Sequence, residues 1–206
     1  MLKRGHMRMQ NTHPGAALAL PLPKDLTILT PRCQLRIPSE KDIPSVFSAT
    51  RHPGFNDGML WDPPATIEEL QEPLRKSIQA WQQGQSYSFT IDSRPGGEFI
   101  GRVSIRLTTD SNMWNLGYWT HPNQQGRGYM SEAIQALVRF GFESLQADRI
   151  EAAYATWNVA SKIVLERAGL SFVKHLPEGF QKRGQWVAED LVAITRTAWM
   201  AANGTK

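Results

Sequence analysis

The hydrophobic pattern reads as a chain of alternating strands and helices. Ser86 to Asp92, Glu98 to Thr108 and Asn112 to Thr120 are strand-like runs, the first two joined by a turn around Pro95-Gly96-Gly97. An earlier strand is predicted near Cys33 to Ile37. Ser39 is placed to cap a short helix running toward Arg51, and Thr66-x-x-Glu69 is a capping-box pattern for a helix through about Gln83. Between about Met130 and Gln146 the period changes: Ile134, Leu137, Val138 and Phe142 share one face of a helix. A strand at Arg149 to Thr156, a helix at Asn158 to Ala168 and a strand at Leu170 to Leu176 follow. A loop rich in Gly, Lys and Gln then leads to a last strand, Val187 to Thr195. This order predicts an α/β (α+β) domain with a mixed central sheet of about seven strands and helices on both faces.

The domain is expected over residues 29–200, behind a weakly structured arm of residues 1–28. The arm carries Lys3, Arg4 and Arg8 and an apolar run from Ala16 to Leu22. That run is short, is interrupted by Pro21 and followed by Pro23, and lacks a small-residue cleavage site, so it reads as a leader, not a signal peptide. No run of eighteen apolar residues exists, so no membrane span is expected. At 206 residues the chain can bury a sizeable core. A net charge of +4 with no Lys/Arg-rich block in the folded part argues against a nucleic-acid partner. The one cysteine, Cys33, excludes an intrachain disulfide framework and fits a reducing cytoplasm; it reads as a small buried hydrophobe.

The strongest chemical signal is Gln125-Gly126-Arg127-Gly128-Tyr129-Met130-Ser131-Glu132-Ala133, between a strand and a helix. Such a turn exposes helix N–H groups that have no partner inside the helix, and the macrodipole adds positive charge there. Without Cβ atoms at Gly126 and Gly128, a bulky anion can come close to the backbone. Taken alone, the turn supports a phosphate cradle and a plain tight turn equally. It is not a P-loop, and it lacks the third glycine of a dinucleotide fingerprint.

The remaining pattern, Gln/Arg-x-x-Gly-x-Gly/Ala, resembles the acyl-CoA pyrophosphate loop of the GNAT acetyltransferase superfamily, with Met130 at the last small position. Asn158-Val159-Ala160-Ser161 through Glu166-Arg167-Ala168-Gly169-Leu170 is similar to the signature of the RimJ/RimL branch, which contains N-terminal acetyltransferases of ribosomal proteins. Thr30 to Arg36, Phe99-Ile100-Gly101 and Leu116-Gly117-Tyr118-Trp119 match as well, so the resemblance spans roughly residues 30 to 196.

The resemblance implies a GNAT fold with two splayed parallel strands, ending at Thr120 and Thr156, that hold the pantetheine arm of acetyl-CoA. Backbone near Tyr118, Trp119 and Thr120 would hold the pantetheine and the developing oxyanion; the side chains of Tyr118 and Trp119 read as core aromatics. Gln125, Gly126, Arg127, Gly128, Tyr129, Met130 and Ser131 would cradle the pyrophosphate, and Asn158 and Ser161 would face the cofactor. Asn158 also suits a plain N-cap. The tyrosine that protonates the thiolate in many GNAT enzymes is replaced by Leu165, which leaves Ser161 as the candidate donor. The glutamate found two residues before the glycine of the Leu116-Gly117-Tyr118 strand is replaced by Asn115, so the base is open among Glu98, His121, Glu178 and a water chain.

Trp61 and Asp62 lie where relatives form part of the acceptor pocket, and an aromatic beside a carboxylate suits a cationic amine. Five scattered histidines indicate no metal site, and no Gly-x-Ser-x-Gly elbow supports a hydrolase. The expected activity is transfer of acetyl from acetyl-CoA to a primary amine, by direct attack. The acceptor would be a protein or peptide N-terminus or, as the rival, a small amine such as an amino acid, polyamine or antibiotic. A CoA-holding module without turnover is the alternative from another class, and a homodimer is left open.

Overall fold

A computed structural model describes residues 22–108 and 112–204. Its elements run β1 Thr27–Leu29, β2 Cys33–Arg36, α1 Ile43–Thr50, α2 Gln71–Gln82, β3 Ser86–Ser93, β4 Phe99–Leu107 and β5 Met113–Thr120. Then come α3 Tyr129–Glu143, β6 Arg149–Ala155, α4 Val159–Arg167, β7 Ser171–Lys182, β8 Gln185–Thr195 and α5 Arg196–Asn203. The strands form one mixed sheet in the order β1-β2-β3-β4-β5-β6-β8-β7. Every neighbouring pair is antiparallel except β5 and β6, which are parallel.

Side-chain alternation sorts the sheet into two faces. Tyr87, Phe89, Val103, Ile105, Trp114 and Leu116 lie on one face and are buried against α3; the Phe140 ring of α3 meets Tyr87 and Phe89 edge-on. Trp81 of α2 packs on the same two rings. The opposite face carries Arg36, Thr90, Asp92 and Arg102, and α1 is anchored there by polar contacts. Asp42, 2% exposed, accepts hydrogen bonds from Arg36 Nη2 at 2.7 Å, Thr90 Oγ1 at 2.8 Å and the Ser39 N–H at 2.9 Å. The other edge of the Arg36 guanidinium is held by Asp92, Nε to Oδ2 at 2.6 Å. Helices thus cover both faces, as the element order predicts.

Four differences from the sequence reading have local causes. The arm assigned to residues 1–28 is corrected over 22–28: Leu22, Leu26 and Ile28 pack on the core, the Leu22 carbonyl accepts Trp81 Nε1 at 3.0 Å, and β1 adds an eighth strand. The basic residues and apolar run before position 22 lie outside the described residues. Helix α2 starts at Gln71 instead of near Thr66. Pro73 lacks an N–H and is tolerated only in a first turn, and Glu69 bonds back to the Ala65 N–H, 2.9 Å, ahead of a 3-10 turn at Glu68–Leu70.

The stretch assigned to a loop after Leu176 is instead strand. β7 and β8 form one long hairpin that absorbs Pro177 and Gly179 in a register shift between Leu176 and Phe180. Finally, α5 was not expected. Thr195 Oγ1 caps it by accepting the Ala198 N–H at 3.2 Å, and Trp199 stacks on Phe142 at 5.2 Å.

Candidate active site: a split sheet beside a glycine turn

β5 and β6 pair only over Met113↔Arg149, Trp114↔Ile150 and Asn115↔Glu151. Beyond that point β5 stays on β4 and β6 stays on β8, so the sheet opens between them. The bonds Thr108 N to Met113 O, 2.9 Å, and His121 N to Ile100 O, 2.8 Å, set the phase of the β4–β5 ladder. Odd residues of β5 bond β4, so even ones turn toward β6; the Leu116 N–H is used in the Asn115↔Glu151 pairing, and the Leu116 C=O and the peptide groups of Tyr118 and Thr120 face the opening. The Thr156 N bond to Ala188 O, 3.0 Å, sets β6 the same way and turns Ala153 and Ala155 toward the split. The split thus offers unpaired peptide groups on both walls.

The glycine turn lies at the end of β5. Pro122–Gln124 form a 3-10 turn, and Gly126 and Gly128 adopt φ of 74° and 78°, the left-handed region that favours glycine. A Cβ at Gly126 would stand in open space, whereas one at Gly128 would lie 3.4 Å from Arg32 Nη2. Gly128 is the N-cap of α3. The first N–H to bond within the helix is that of Glu132, to Gly128 O at 3.2 Å, so those of Tyr129, Met130 and Ser131 have no helical partner. Met130 is 6% exposed and packs beneath the turn, so its side chain does not fill the cradle.

Arg32, which the sequence reading did not single out, adds a cation here. Its Nη1 donates to Arg127 O at 3.0 Å, its Nε pairs with Glu132 at 2.8 Å, and its guanidinium lies over the Tyr129 ring. Burial pushes the Glu132 carboxyl up, but bonds from the Thr30 hydroxyl and from the Arg32 N–H and guanidinium bring it below its ordinary value. The anion in the first turn is thereby neutralised locally, and Arg127 stays exposed beside it, donating to Gln124 Oε1 at 3.0 Å.

Helix α4 lies over one face of the split. Asn158 caps it, Oδ1 accepting the Ser161 N–H at 3.1 Å. Tyr118 lies on the same face as α3 and α4, and its hydroxyl donates to the Ser161 carbonyl at 3.2 Å, bridging β5 to α4. Burial raises the Tyr118 phenol to about 12, against the opposing effect of that bond, so it stays protonated. Trp119 points to the opposite face, edge-on to Phe55 at 5.3 Å and tilted against Phe99 at 5.8 Å. The core reading of the two side chains holds for Tyr118, which packs against the core, while Trp119 joins an aromatic group under the 51–65 loop. Leu165 is fully buried, so nothing at that position reaches the split.

Trp61 and Asp62 are brought to the site but not as a free aromatic–carboxylate pair. Lys182, near the tip of the β7–β8 hairpin and only 10% exposed in its side chain, donates to Asp62 Oδ1 at 2.8 Å and to the Trp61 carbonyl at 2.9 Å. That bond holds the Asp62 carboxyl below its ordinary value. The contact clasps the 51–65 loop to the hairpin. His121 is directed at α1, with Nε2 3.4 Å from Ser48 Oγ and Nδ1 accepting the Asn123 N–H. It lines an open cleft of about 460 Å³ with Pro44, Ser48 and Phe99, and burial, helped by nearby His52, pushes its pKa down. Glu98 and Glu178 are exposed. Cys33 is buried and its thiol is pushed up to about 11, mainly by burial, so it is inert. Among the described residues no cluster of His, Cys, Asp or Glu is placed to hold a metal, and no helix is long and apolar enough to cross a membrane.

Parallel strands that part beside a glycine-capped helix define an acyl-CoA-dependent acetyltransferase architecture. The chain belongs to the acetyltransferase (GNAT) domain family, whose model matches residues 32–171. It is 29% identical over 115 residues to the uncharacterized N-acetyltransferase YnaD of Bacillus subtilis (strain 168), covering 54% of this chain and 65% of that one, just under two thirds of its length. It is 28% identical over 119 residues to the [ribosomal protein uS5]-alanine N-acetyltransferase of Escherichia coli (strain K12), covering 57% and 61%. The fold matches a coenzyme A complex of RimL, the ribosomal L7/L12 alpha-N-protein acetyltransferase. That match has a TM-score of 0.76 at 20% identity and covers 82% of this chain and 98% of that one.

Proposed function

We propose that this protein transfers an acetyl group from acetyl-CoA to the α-amine at the N-terminus of a protein or peptide, by direct attack with donor and acceptor bound together. The observation that carries the reading is the opening of the sheet after Asn115 and Glu151, next to three free helix amides. An extended arm bearing amide groups fits between the open edges of β5 and β6, and a pyrophosphate fits the amides of Tyr129, Met130 and Ser131 beside Arg32 and Arg127. Bound acetyl-CoA supplies an activated thioester. The chain's own groups act on it: N–H groups of Tyr118 and Thr120 stabilise negative charge on a carbonyl oxygen, and the Ser161 hydroxyl holds a proton for the departing sulfur. The relative that acts on ribosomal protein uS5 supports a protein N-terminus as acceptor and, with the free thiol of Cys33, a cytoplasmic setting.

Initial rates measured over both substrate concentrations test the direct attack. Intersecting reciprocal plots are expected; parallel plots, the pattern of an acetyl-enzyme, would contradict it. Ser161→Ala is expected to lower kcat by about 100-fold, the low end for one proton-transferring group, with acetyl-CoA affinity changed less than about tenfold. An unchanged kcat would remove Ser161 from the chemistry. Lys182→Ala frees the 51–65 loop, and the acceptor KM is expected to rise by about tenfold with kcat and acetyl-CoA affinity little changed.

A further inference from the structure

Direct attack requires an amine that has lost its proton; of the base candidates named so far, His121 is directed at α1, and Glu98 and Glu178 stand in solvent. The acceptor must approach from the face opposite α3 and α4, since those helices cover the other. On that face, the open side of the split is flanked by Glu151, Ala153 and Ala155 of β6 and by Glu189 and Leu191 of β8. Glu151 is engaged with Arg149 at 2.6 Å, and Asp190 lies on the other face with His175 at 2.9 Å and Tyr154.

Glu189 is different. It is half-buried, stands directly across from Ala155 at the open end of β6, and makes no hydrogen bond or ion pair among the described residues. Its side chain lies on the backbone of Gly179 in the overhanging hairpin: a Cβ there would meet Glu189 Cγ at 2.5 Å and Oε2 at 2.7 Å. Glycine at 179 thus makes the room in which this carboxylate sits.

Resting on the acetyl-transfer reading, we propose that Glu189 is the general base that takes the proton from the acceptor amine. The acceptor enters as an ammonium and gives one proton through the Glu189 carboxylate to solvent; the neutral nitrogen then bonds to the carbonyl carbon and gives Glu189 a second proton. The carbon–sulfur bond breaks, and the sulfur takes a proton from Ser161, which recovers one from solvent. Glu189 returns its proton to solvent, leaving an amide and a thiol.

Burial alone raises the Glu189 carboxyl above its ordinary value, toward the range in which a base works at neutral pH. Of the other charged groups on this face, Arg102 is partly buried on β4, beside Asp42 and Arg36 and across β5 and the split from Glu189, and the rest are held elsewhere or stand in solvent. Arg149 pairs with Glu151 and Lys182 with Asp62, while Lys174 and Asp57 are exposed.

The test is Glu189→Gln, which keeps the shape. It is expected to lower kcat/KM for the acceptor by about 100-fold at neutral pH and to abolish the acidic limb of the pH–rate profile, leaving acetyl-CoA affinity and the thermal midpoint unchanged or the midpoint raised. In protein labelled with 13C-glutamate, one carboxyl signal should titrate above the other glutamates and vanish in this variant. Gly179→Ala, which displaces the carboxylate, is expected to lose activity in the wild-type background and to add nothing to Glu189→Gln. A wild type that turns over while Glu189→Gln keeps its rate and acidic limb would overturn the proposal alone. A wild type that transfers acetyl to no amine would overturn the reading beneath it.

Discussion

Gly128→Trp is expected to weaken acetyl-CoA binding by at least about 100-fold, about 2.7 kcal/mol, measured by calorimetry. Gly128 is the N-cap of α3 at φ 78°, and any side chain there starts 3.4 Å from the Arg32 guanidinium. An indole there displaces Arg32 and stands beside the three free amides where the pyrophosphate is proposed to sit. Left-handed backbone costs a side chain about 1–2 kcal/mol, so the variant will also melt lower. Gly184→Trp separates the two effects: Gly184 has the same φ of 78° in the β7–β8 turn with nothing within 4 Å of its Cβ. It carries the strain, and its acetyl-CoA affinity should match wild type. Equal affinity in wild type and Gly128→Trp would remove the cradle.

Asp42→Asn is expected to destabilise the fold by about 2 kcal/mol in denaturant titrations, the usual cost of losing charged hydrogen bonds at a buried carboxylate, while Arg36 keeps Asp92 as its partner. Burial pushes the Asp42 carboxyl up, but bonds from Arg36, the Ser39 N–H and Thr90 bring the net value below the ordinary range. The sign follows: a carboxyl with a depressed folded pKa contributes stability above its unfolded value, and that stability is lost as pH falls through the folded one. Wild type should therefore lose stability below the ordinary carboxylate range with a steeper slope than Asp42→Asn, in which Glu132 and the other lowered carboxyls still titrate. A variant as stable as wild type, with the same acid slope, would show that the anchor of α1 lies elsewhere.

Local chemistry decided what the sequence could reveal. The glycine turn was legible because two glycines at left-handed positions and the helix they open are neighbours along the chain. Asn158 was legible because an N-cap is set by the next three residues, and its cap and its place beside the split are one geometry. Met130 stands out in the motif pattern, but its side chain turns inward, so only its backbone faces the cradle. Pro177, Gly179 and Gly184 are turn residues by local rule, and only the cross-strand register of a twelve-residue β7 shows that the first two lie within a strand.

Glu189 was hidden for a stronger reason: its importance rests on Gly179, ten positions away, and on the parting of β5 from β6 two strands across. The clasp between Lys182 and Asp62 spans 120 residues and inverts the reading of Asp62, from a free carboxylate for an amine to a latch already closed.

As proposed, the split sheet is a site of acetyl transfer and not only a place where CoA binds. Mass spectrometry of a peptide with a free N-terminal amine, incubated with the wild-type protein and acetyl-CoA, tests it most directly. A twin peptide blocked at its N-terminus and a panel of small amines run beside it. One acetyl group on the free N-terminus, none on the blocked twin, and release of an equal amount of CoA are expected. Acetyl-CoA bound tightly with no acetylated product from any amine would contradict the proposal and leave the protein a CoA-holding module.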